Sequence, residues 1–404
     1  MTAKKTFHNT LYTNDNLYVL SGMNSESVDL IYLDPPFNSK RMYSAPVGSK
    51  AAGASFKDMW TWKDVDEYYL DTLAERFPAL TKYIASVGEV HSKPMKAYLT
   101  YMSQRIIEMH RILKDTGSLY LHCDPTASHY LKSLLDGVFR KHGFRNEIIW
   151  YYSGGGASTK QWARKHDTIF FYSKSNKWTF NVDAVRQQYK WDKGQKRADG
   201  SARDYEKGKL PDDVFVLHGV MPWSSERTGY PTQKPLALLH RIIKASSNEE
   251  DVVMDPFCGC ATTCVAAQQL GRKWIGIDVE KHSVNLLIER LSDAQGRLFK
   301  DFIATEQIPK RSDVTEVQPS ESIKQRLYKE QDGKCNACRQ DFECRNLELD
   351  HIIPKSRGGG DYYENYQLLC ANCNRIKGDR PMEYLRLKIE TRERMMKHKI
   401  FFGE

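Results

Sequence analysis

The feature that most constrains this chain is an alternation of short apolar runs with helix-like stretches. VDLIYL (28–33) is followed, after a long polar insert, by a helix-like stretch from Pro94 to about Lys114 that stops near Gly117. GSLYLHCD (117–124) leads into a helical stretch to about Lys141, and NEIIWYY (146–152) and DTIFFYS (167–173) read as strands. VVMDPF (252–257) precedes a helix ending at Gly271, and KWIGID (273–278) precedes another. Runs with little polar alternation suit strands covered on both faces, so this order predicts a parallel sheet with helices on each side.

Two segments break the rhythm. Ser39 to Lys93 and Lys174 to Tyr230 are long for connections in a compact domain, and they are read as binding loops. From 305 to 321 the chain turns polar with no apolar period, which reads as a linker before a separate small unit. With 404 residues there is room for one large core and that second domain. No apolar run is long enough to span a membrane, and the start, MTAKKTFHNTLYTNDN, has no signal-peptide core, so export is not expected. The net charge of +9 suits a polyanionic partner. Nine cysteines, an odd number without an export signal, point to reduced thiols or metal ligands.

The chemistry starts where the strands stop. After VDLIYL come Asp34, Pro35, Pro36 and Phe37, so a rigid turn separates a carboxylate from an aromatic ring. Alone, this is most simply a strand end. VVMDPFCGCATT (252–263) reads as strand, turn and helix, with Gly259 the single glycine of the turn. A dinucleotide site needs several glycines there, and a phosphate loop needs G-K-[ST], which is missing. A bulkier turn holding Asp255 suits a ligand without phosphate. The next strand ends at Asp278, about 20 residues on, where a carboxylate can accept from ribose hydroxyls or cap the following helix. S-adenosylmethionine, with a ribose, an ammonium and a sulfonium, fits both positions.

Taken together, DPPF, YPTQKPLALLHRII (230–243), DPFCGCATT and WIGID resemble the amino-methyltransferases of DNA, in the permuted order of the β-class. The resemblance covers about residues 10–300. NDNLYVL (14–20) resembles the family's opening motif, with Asp15 as its acidic residue. The resemblance implies that Asp255, Phe257, Gly259 and Thr262 line the methionine side of the cofactor pocket, that Gln233, Lys234 and Pro235 close over it, and that Asp278 holds the ribose. Cys260 and Ala261 depart from the usual residues but are small. By the same resemblance, Asp34 and the Pro35 carbonyl accept hydrogen bonds from the target amine, Pro36 stiffens the turn, and a flipped base stacks on Phe37.

Near the C-terminus, Cys335-x-x-Cys338 and Cys370-x-x-Cys373 form two knuckles about thirty residues apart, the spacing of a closed tetrahedral zinc site. Between and after them, LDHIIPKSRGGG, ENYQLLCANCN and Lys377 resemble the HNH nucleases over about residues 322–385. That resemblance makes His351 the general base and Asn365 the residue that orients it. It makes Asp350 and Asn374 ligands of a catalytic Mg2+ or Mn2+.

The expected fold class is therefore α/β: a Rossmann-like S-adenosylmethionine-dependent methyltransferase with a second, small zinc-containing ββα-metal (HNH) domain. Residues 1–304 would form the first, with target recognition at about 174–230, and 322–404 the second, ending in a basic tail. The expected activity is N6-adenine methylation of double-stranded DNA combined with cutting, as in restriction–modification. N4-cytosine methylation with an HNH unit that only docks on DNA is the alternative. The expected setting is a prokaryotic or phage cytoplasm, with no membrane partner, and a homodimer stays open.

Overall fold

The computed structural model describes residues 9–36, 41–46, 48–52, 55–58, 73, 76–152, 157–189, 196, 200–201, 206–295, 302–357, 359–380, 382, 385 and 388–389. The chain falls into two compact units. One gathers the described residues of Met1–Asn16, Glu26–Met59 and Met109–Glu306, the other those of Leu17–Ser25, Trp60–Glu108 and Gln307–Glu404.

The first unit is built on a nine-stranded sheet. Its strands are β1 (Asn9–Tyr12), β2 (Val28–Leu33), β5 (Leu113–Cys123), β6 (Phe144–Tyr151), β7 (His166–Ser173), β8 (Val214–Val216), β9 (Val252–Asp255), β10 (Lys273–Ile277) and β11 (Phe302–Thr305). A separate two-stranded antiparallel sheet joins β3 (Arg41–Ser44) to β4 (Ser55–Asp58). The order in the large sheet is β11-β1-β10-β9-β2-β5-β7-β6-β8. All pairings are parallel except those of β7, which runs antiparallel to β5 and β6. The sheet is thus mixed rather than purely parallel. A parallel return needs a crossover, usually a helix, and the described connection from β6 to β7 carries none.

β2 is buried along its whole length and lies between β9 and β5. Its one acid, Asp29, accepts from the Lys114 ammonium at 2.7 Å and from the Val252 N–H at 2.9 Å, so a buried charge is paired and β2 is tied to β9. From β2 the chain crosses to β5 on one side, and from β9 it crosses to β10 on the other. The neighbours β2 and β9 therefore flank the topological switch point, where open α/β sheets bind their ligands. The core below contains Leu30, Tyr32, Tyr120, Phe171, Val253 and Trp274 with the apolar faces of the helices Leu236–Ser246 and Thr262–Gln269. The insert 174–230 adds β8 to the edge of this sheet, parallel to β6.

In the second unit, helix Glu321–Glu330 begins at Ser320, whose hydroxyl accepts from the Ile323 N–H. An antiparallel pair follows, β12 (Leu347–His351) with β13 (Tyr366–Cys370), and then helix Ala371–Lys377. Leu327, Leu347, Leu368, Leu369 and Leu385 pack with three buried cysteines into a small core. The polar segment before Ser320 has no regular element, but it is held in place. Ser312 N–H donates to Asn24 at 2.7 Å and Ser25 N–H to Asp313 at 2.9 Å. Among the described residues no helix is long and apolar enough to cross a membrane.

Candidate functional site

Five strands of this sheet lead at their C-terminal ends, on one shared edge, into an aspartate. In sheet order these are Asp15 after β1, Asp278 after β10, Asp255 ending β9, Asp34 after β2 and Asp124 after β5. Antiparallel β7 brings Asp167 to the same edge from its N-terminal end. Such a row repels phosphate and favours a cationic ligand. Asp124 and Asp167 carried no motif in the sequence, and only the strand order puts them here.

Two of these acids build the turn between β9 and the next helix. Asp255 accepts from the Phe257 N–H at 3.0 Å and from the Thr263 hydroxyl at 2.5 Å, and burial pushes its carboxyl up to about 7. Asp278 accepts from the Gly259 N–H at 2.7 Å and the Glu280 N–H at 2.8 Å, and burial raises it to about 6. The bond to Glu280 forms a turn ahead of the helix that starts at His282, so Asp278 does not cap that helix. Instead it ties the end of β10 to the glycine turn. Gly259 has φ +49°, and a Cβ there would lie 2.9 Å from Tyr230 Cε1. The YPTQKP segment therefore lies directly on the turn, and any side chain at 259 would push it away.

That segment also reaches the diproline turn. Lys234, largely buried, donates to Asp34 Oδ2 and, at 3.2 Å, to the Thr232 carbonyl. Asp34 Oδ1 is buried with no hydrogen-bond partner among the described residues. Thr232 has φ +63°, a conformation costly for a β-branched residue. Gln233 accepts from the Thr228 N–H and hydroxyl at 2.9 and 2.8 Å and donates to the Glu226 carbonyl at 2.7 Å. Pro235 precedes helix Leu236–Ser246, whose Leu236 N–H donates to the Glu226 carboxylate at 2.9 Å. So Gln233 is occupied in folding the loop, and Lys234 is directed at Asp34.

Among the other expected cofactor residues, Thr262 begins a helix and its hydroxyl accepts from Arg290 at 2.9 Å. The same guanidinium donates to the Cys260 carbonyl at 2.6 Å. Asp15 stands just past β1, its N–H donating to Asn14 at 2.8 Å, and the Asn16 amide donates to the Pro256 carbonyl at 2.8 Å. Pro35 and Pro36 follow β2 directly, while Phe37 lies outside the described residues. Buried carboxylates raised by desolvation and an unpartnered buried acceptor fit a ligand that brings positive charge and N–H donors. They suit S-adenosylmethionine at Asp255 and Asp278 and an amine at Asp34. Thr263, Glu226 and Arg290 were missed from sequence because hydroxyls, helix caps and a helical arginine carry no spacing signal.

In the C-terminal unit the sulfurs of Cys335, Cys338, Cys370 and Cys373 lie within 4.8 Å of one another and could hold a metal ion. Tetrahedral zinc places thiolates about 3.8 Å apart, so the cluster fits that ion. The Cys335 sulfur accepts from the Cys373 thiol and from backbone N–H groups, Cys370 at 3.2 Å among them, and these hold it below the usual thiol range.

His351 ends β12 opposite Tyr366. Its ring nitrogen Nε2 lies 2.8 Å from Asp361, a residue that sequence reading passed over. Asn365 does not bond the imidazole directly. Its amide accepts from the Ile353 N–H at 2.9 Å and donates to the carbonyls of Ile353 and Gly360 at 3.1 and 3.0 Å, folding the loop that carries Asp361. Asp350 accepts from Gln367 at 2.8 Å and from the buried Lys377 ammonium at 3.0 Å. Asn374 donates to Glu348 at 2.6 Å, so its amide oxygen could serve as a ligand atom. One carboxylate and one amide oxygen fit a hard divalent ion.

The model for a family described as DNA methylase matches residues 28–289, and the model described as HNH endonuclease matches residues 335–380. The Type II methyltransferase M.HpaI of Haemophilus parainfluenzae is 33% identical over 195 residues, covering 48% of this chain and 59% of that protein. The chain thus spans less than two thirds of M.HpaI. Type II methyltransferase M.BglII of Bacillus subtilis is 27% identical, covering 70% of this chain and 69% of its own length. DNA adenine methyltransferase YhdJ of Escherichia coli K12 is 29% identical over 322 residues, 77% of this chain and 93% of its own. Among solved structures, the M1.HpyAVI–SAM complex aligns with 70% of this chain and 98% of its own at 19% identity and TM-score 0.42.

Proposed function

The chain belongs to the N6/N4 DNA methylase family and carries an HNH domain, and we propose that it methylates the N6 amine of adenine in double-stranded DNA. The observation that carries this reading is Asp34, with one oxygen taken by Lys234 and the other buried and unpartnered at the switch point. An exocyclic amine is a poor nucleophile because its lone pair is delocalised into the ring. Accepting one N–H at Asp34 Oδ1 and the other at the Pro35 carbonyl favours a more tetrahedral nitrogen with its lone pair free to attack. The diproline turn fixes both acceptors, and Lys234 keeps the carboxylate from rotating away. Phe37 would supply the stacking face for a base taken out of the duplex. S-adenosylmethionine supplies an electrophilic methyl group. Asp278 would hold its ribose, while Asp255, Phe257, Gly259 and Thr262 line the methionine side, with Asp15 beside them. The similarity to YhdJ, a DNA adenine methyltransferase, and the DPPF form of the motif support adenine over cytosine.

We assign residues 1–304 to this activity, with target recognition at about 174–230, 305–321 to a connection, and 322–404 to the HNH domain, a division by motif rather than by compact unit. The test is to digest methylated DNA to nucleosides and identify the product by mass. N6-methyladenine made by wild type and abolished in Asp34→Ala, with cofactor affinity within a few-fold, is the expected outcome. N4-methylcytosine would overturn the adenine assignment, and an active Asp34→Ala would overturn the role of Asp34.

For the HNH domain we infer DNA cleavage or nicking, with His351 as general base. The supporting observations are His351 directly after Asp350 at the end of β12, Asn374 bonded to Glu348 of the same strand, and a zinc-fitting cluster in the same domain; the two oxygens would suit Mg2+ or Mn2+. The ion would polarise the scissile phosphate. His351→Ala should lose metal-dependent cutting of unmethylated DNA, measured without S-adenosylmethionine, and keep zinc and DNA binding. Wild-type protein that cuts nothing with either ion would return the domain to a docking role.

A further inference from the structure

We infer that Asp361 is the positioning residue of the nuclease base, holding His351 so that Nδ1, not Nε2, receives the proton of the attacking water. This rests on the nuclease reading above.

The geometry sits in one corner of the C-terminal unit. His351 closes β12, and Tyr366 opens β13 opposite it, with the two rings 4.7 Å apart. The Asp361 carboxylate lies against both. Its Oδ1 is 2.8 Å from His351 Nε2 and accepts from the Tyr366 hydroxyl at 2.8 Å, while Oδ2 accepts from the Lys355 ammonium at 2.7 Å. Lys355, Tyr366 and His351, in that order, hold this carboxyl well below the usual carboxylate range, so it is ionised and can only accept. The nitrogen facing it must carry the hydrogen. In the neutral ring the lone pair is then on Nδ1, which has no hydrogen-bond partner among the described residues.

The loop is built to keep Asp361 there. The Val317 N–H donates to the Asp361 carbonyl at 2.7 Å, and Asn365 bonds the backbone at Ile353 and Gly360, ahead of Asp361. A Cβ at Gly359 would lie 1.8 Å from the Ile353 carbonyl oxygen, so only glycine allows this approach. Asn365 therefore acts on His351 through Asp361, by folding the segment that presents the carboxylate.

The chemical step is a hydrolysis. Nδ1 takes one proton of water while the water oxygen forms a bond to phosphorus. The bond from phosphorus to the leaving sugar oxygen breaks with its electron pair, and that oxygen gains a proton from solvent. Asp361 neither gains nor loses a proton. It fixes the ring orientation and tautomer and stabilises the imidazolium, as an acid behind a catalytic histidine does in other hydrolases.

The test compares full-length, zinc-loaded wild type with Asp361→Asn in two measurements. The first is nicking of unmethylated supercoiled plasmid in Mg2+. Asp361→Asn should lower kcat by about 100-fold or more, within the range of a general base, with KM for DNA within about threefold. The second is the nitrogen-15 spectrum of the histidine rings, assigned to His351 by its loss in His351→Gln. Wild type should show hydrogen on Nε2, and Asp361→Asn should lose that preference while keeping its zinc and its melting temperature. Hydrogen on Nδ1 in wild type, or an unchanged kcat in the variant, overturns the inference. If wild type does not nick yet shows hydrogen on Nε2 that depends on Asp361, the nuclease reading fails and the positioning of His351 stands.

Discussion

Lys234 donates to Asp34 across the switch point, with both side chains largely buried: 9% of the lysine and 16% of the aspartate side chain is exposed. The pair joins the turn after β2 to the YPTQKP loop and leaves the other carboxylate oxygen without a partner among the described residues, the oxygen proposed to meet the target amine. Breaking a buried pair leaves an uncompensated charge, at a cost of about 3–5 kcal/mol. Lys234→Met should therefore lower stability and kcat together. In Lys234→Met with Asp34→Asn, much of the stability should return while activity does not. Denaturant unfolding of the two singles and the double checks this, and additive losses would mean that the pair is not coupled.

Gly259 and Tyr230 form the second contact of that loop. Gly259→Ala places a methyl group 2.9 Å from the Tyr230 ring at a positive φ, so it should weaken cofactor binding by roughly tenfold, about 1.4 kcal/mol. Tyr230→Leu in the same chain should recover part of the loss. Calorimetric titration with S-adenosylmethionine gives both values.

Cofactor binding should depend on pH. Burial raises Asp255 to about 7 and Asp278 to about 6, so in the cofactor-free protein both ionise later than an ordinary carboxylate. Raised values mean that their contribution to folding stability is present at acid pH and is lost as pH rises through 6 to 7. A cationic ligand favours the ionised forms, so binding should release protons below pH 7. With two acids involved, affinity should rise by up to about a hundredfold per pH unit below pH 6, by about tenfold from pH 6 to 7, and then level off. Titrations in two buffers of different ionisation heat measure the protons, and a pH-independent affinity would remove these acids from the cofactor site.

The cysteine cluster predicts one zinc per chain. Structural zinc contributes roughly 10–16 kcal/mol of apparent binding energy to small domains of this kind. Cys370→Ser should lose the ion and the fold around β12 and β13 while leaving methylation in place. Elemental analysis and a methyl-transfer assay on the same preparation check it, and freshly purified wild type without zinc would count against it.

What the sequence alone determined is whatever depends on near neighbours in the chain. Apolar runs became strands, the diproline ended β2 at Asp34, Gly259 marked the turn after β9, and paired C-x-x-C spacing foretold the sulfur cluster, because each is set within a few residues. The tertiary structure decided the pairings. Lys234 meets Asp34 from 200 residues away only because β9 lies beside β2. Asp124 and Asp167 join the acidic edge only through strand order and the reversed direction of β7. In the HNH domain, Asn365 and Asp361 are both polar residues near a histidine in sequence. Which of them reaches the imidazole depends on a loop folded by backbone bonds at Ile353 and Gly360. Periodicity and motif spacing report which face or turn a residue occupies, whereas a hydrogen bond requires a partner within about 3 Å, and that distance exists only once the chain is folded.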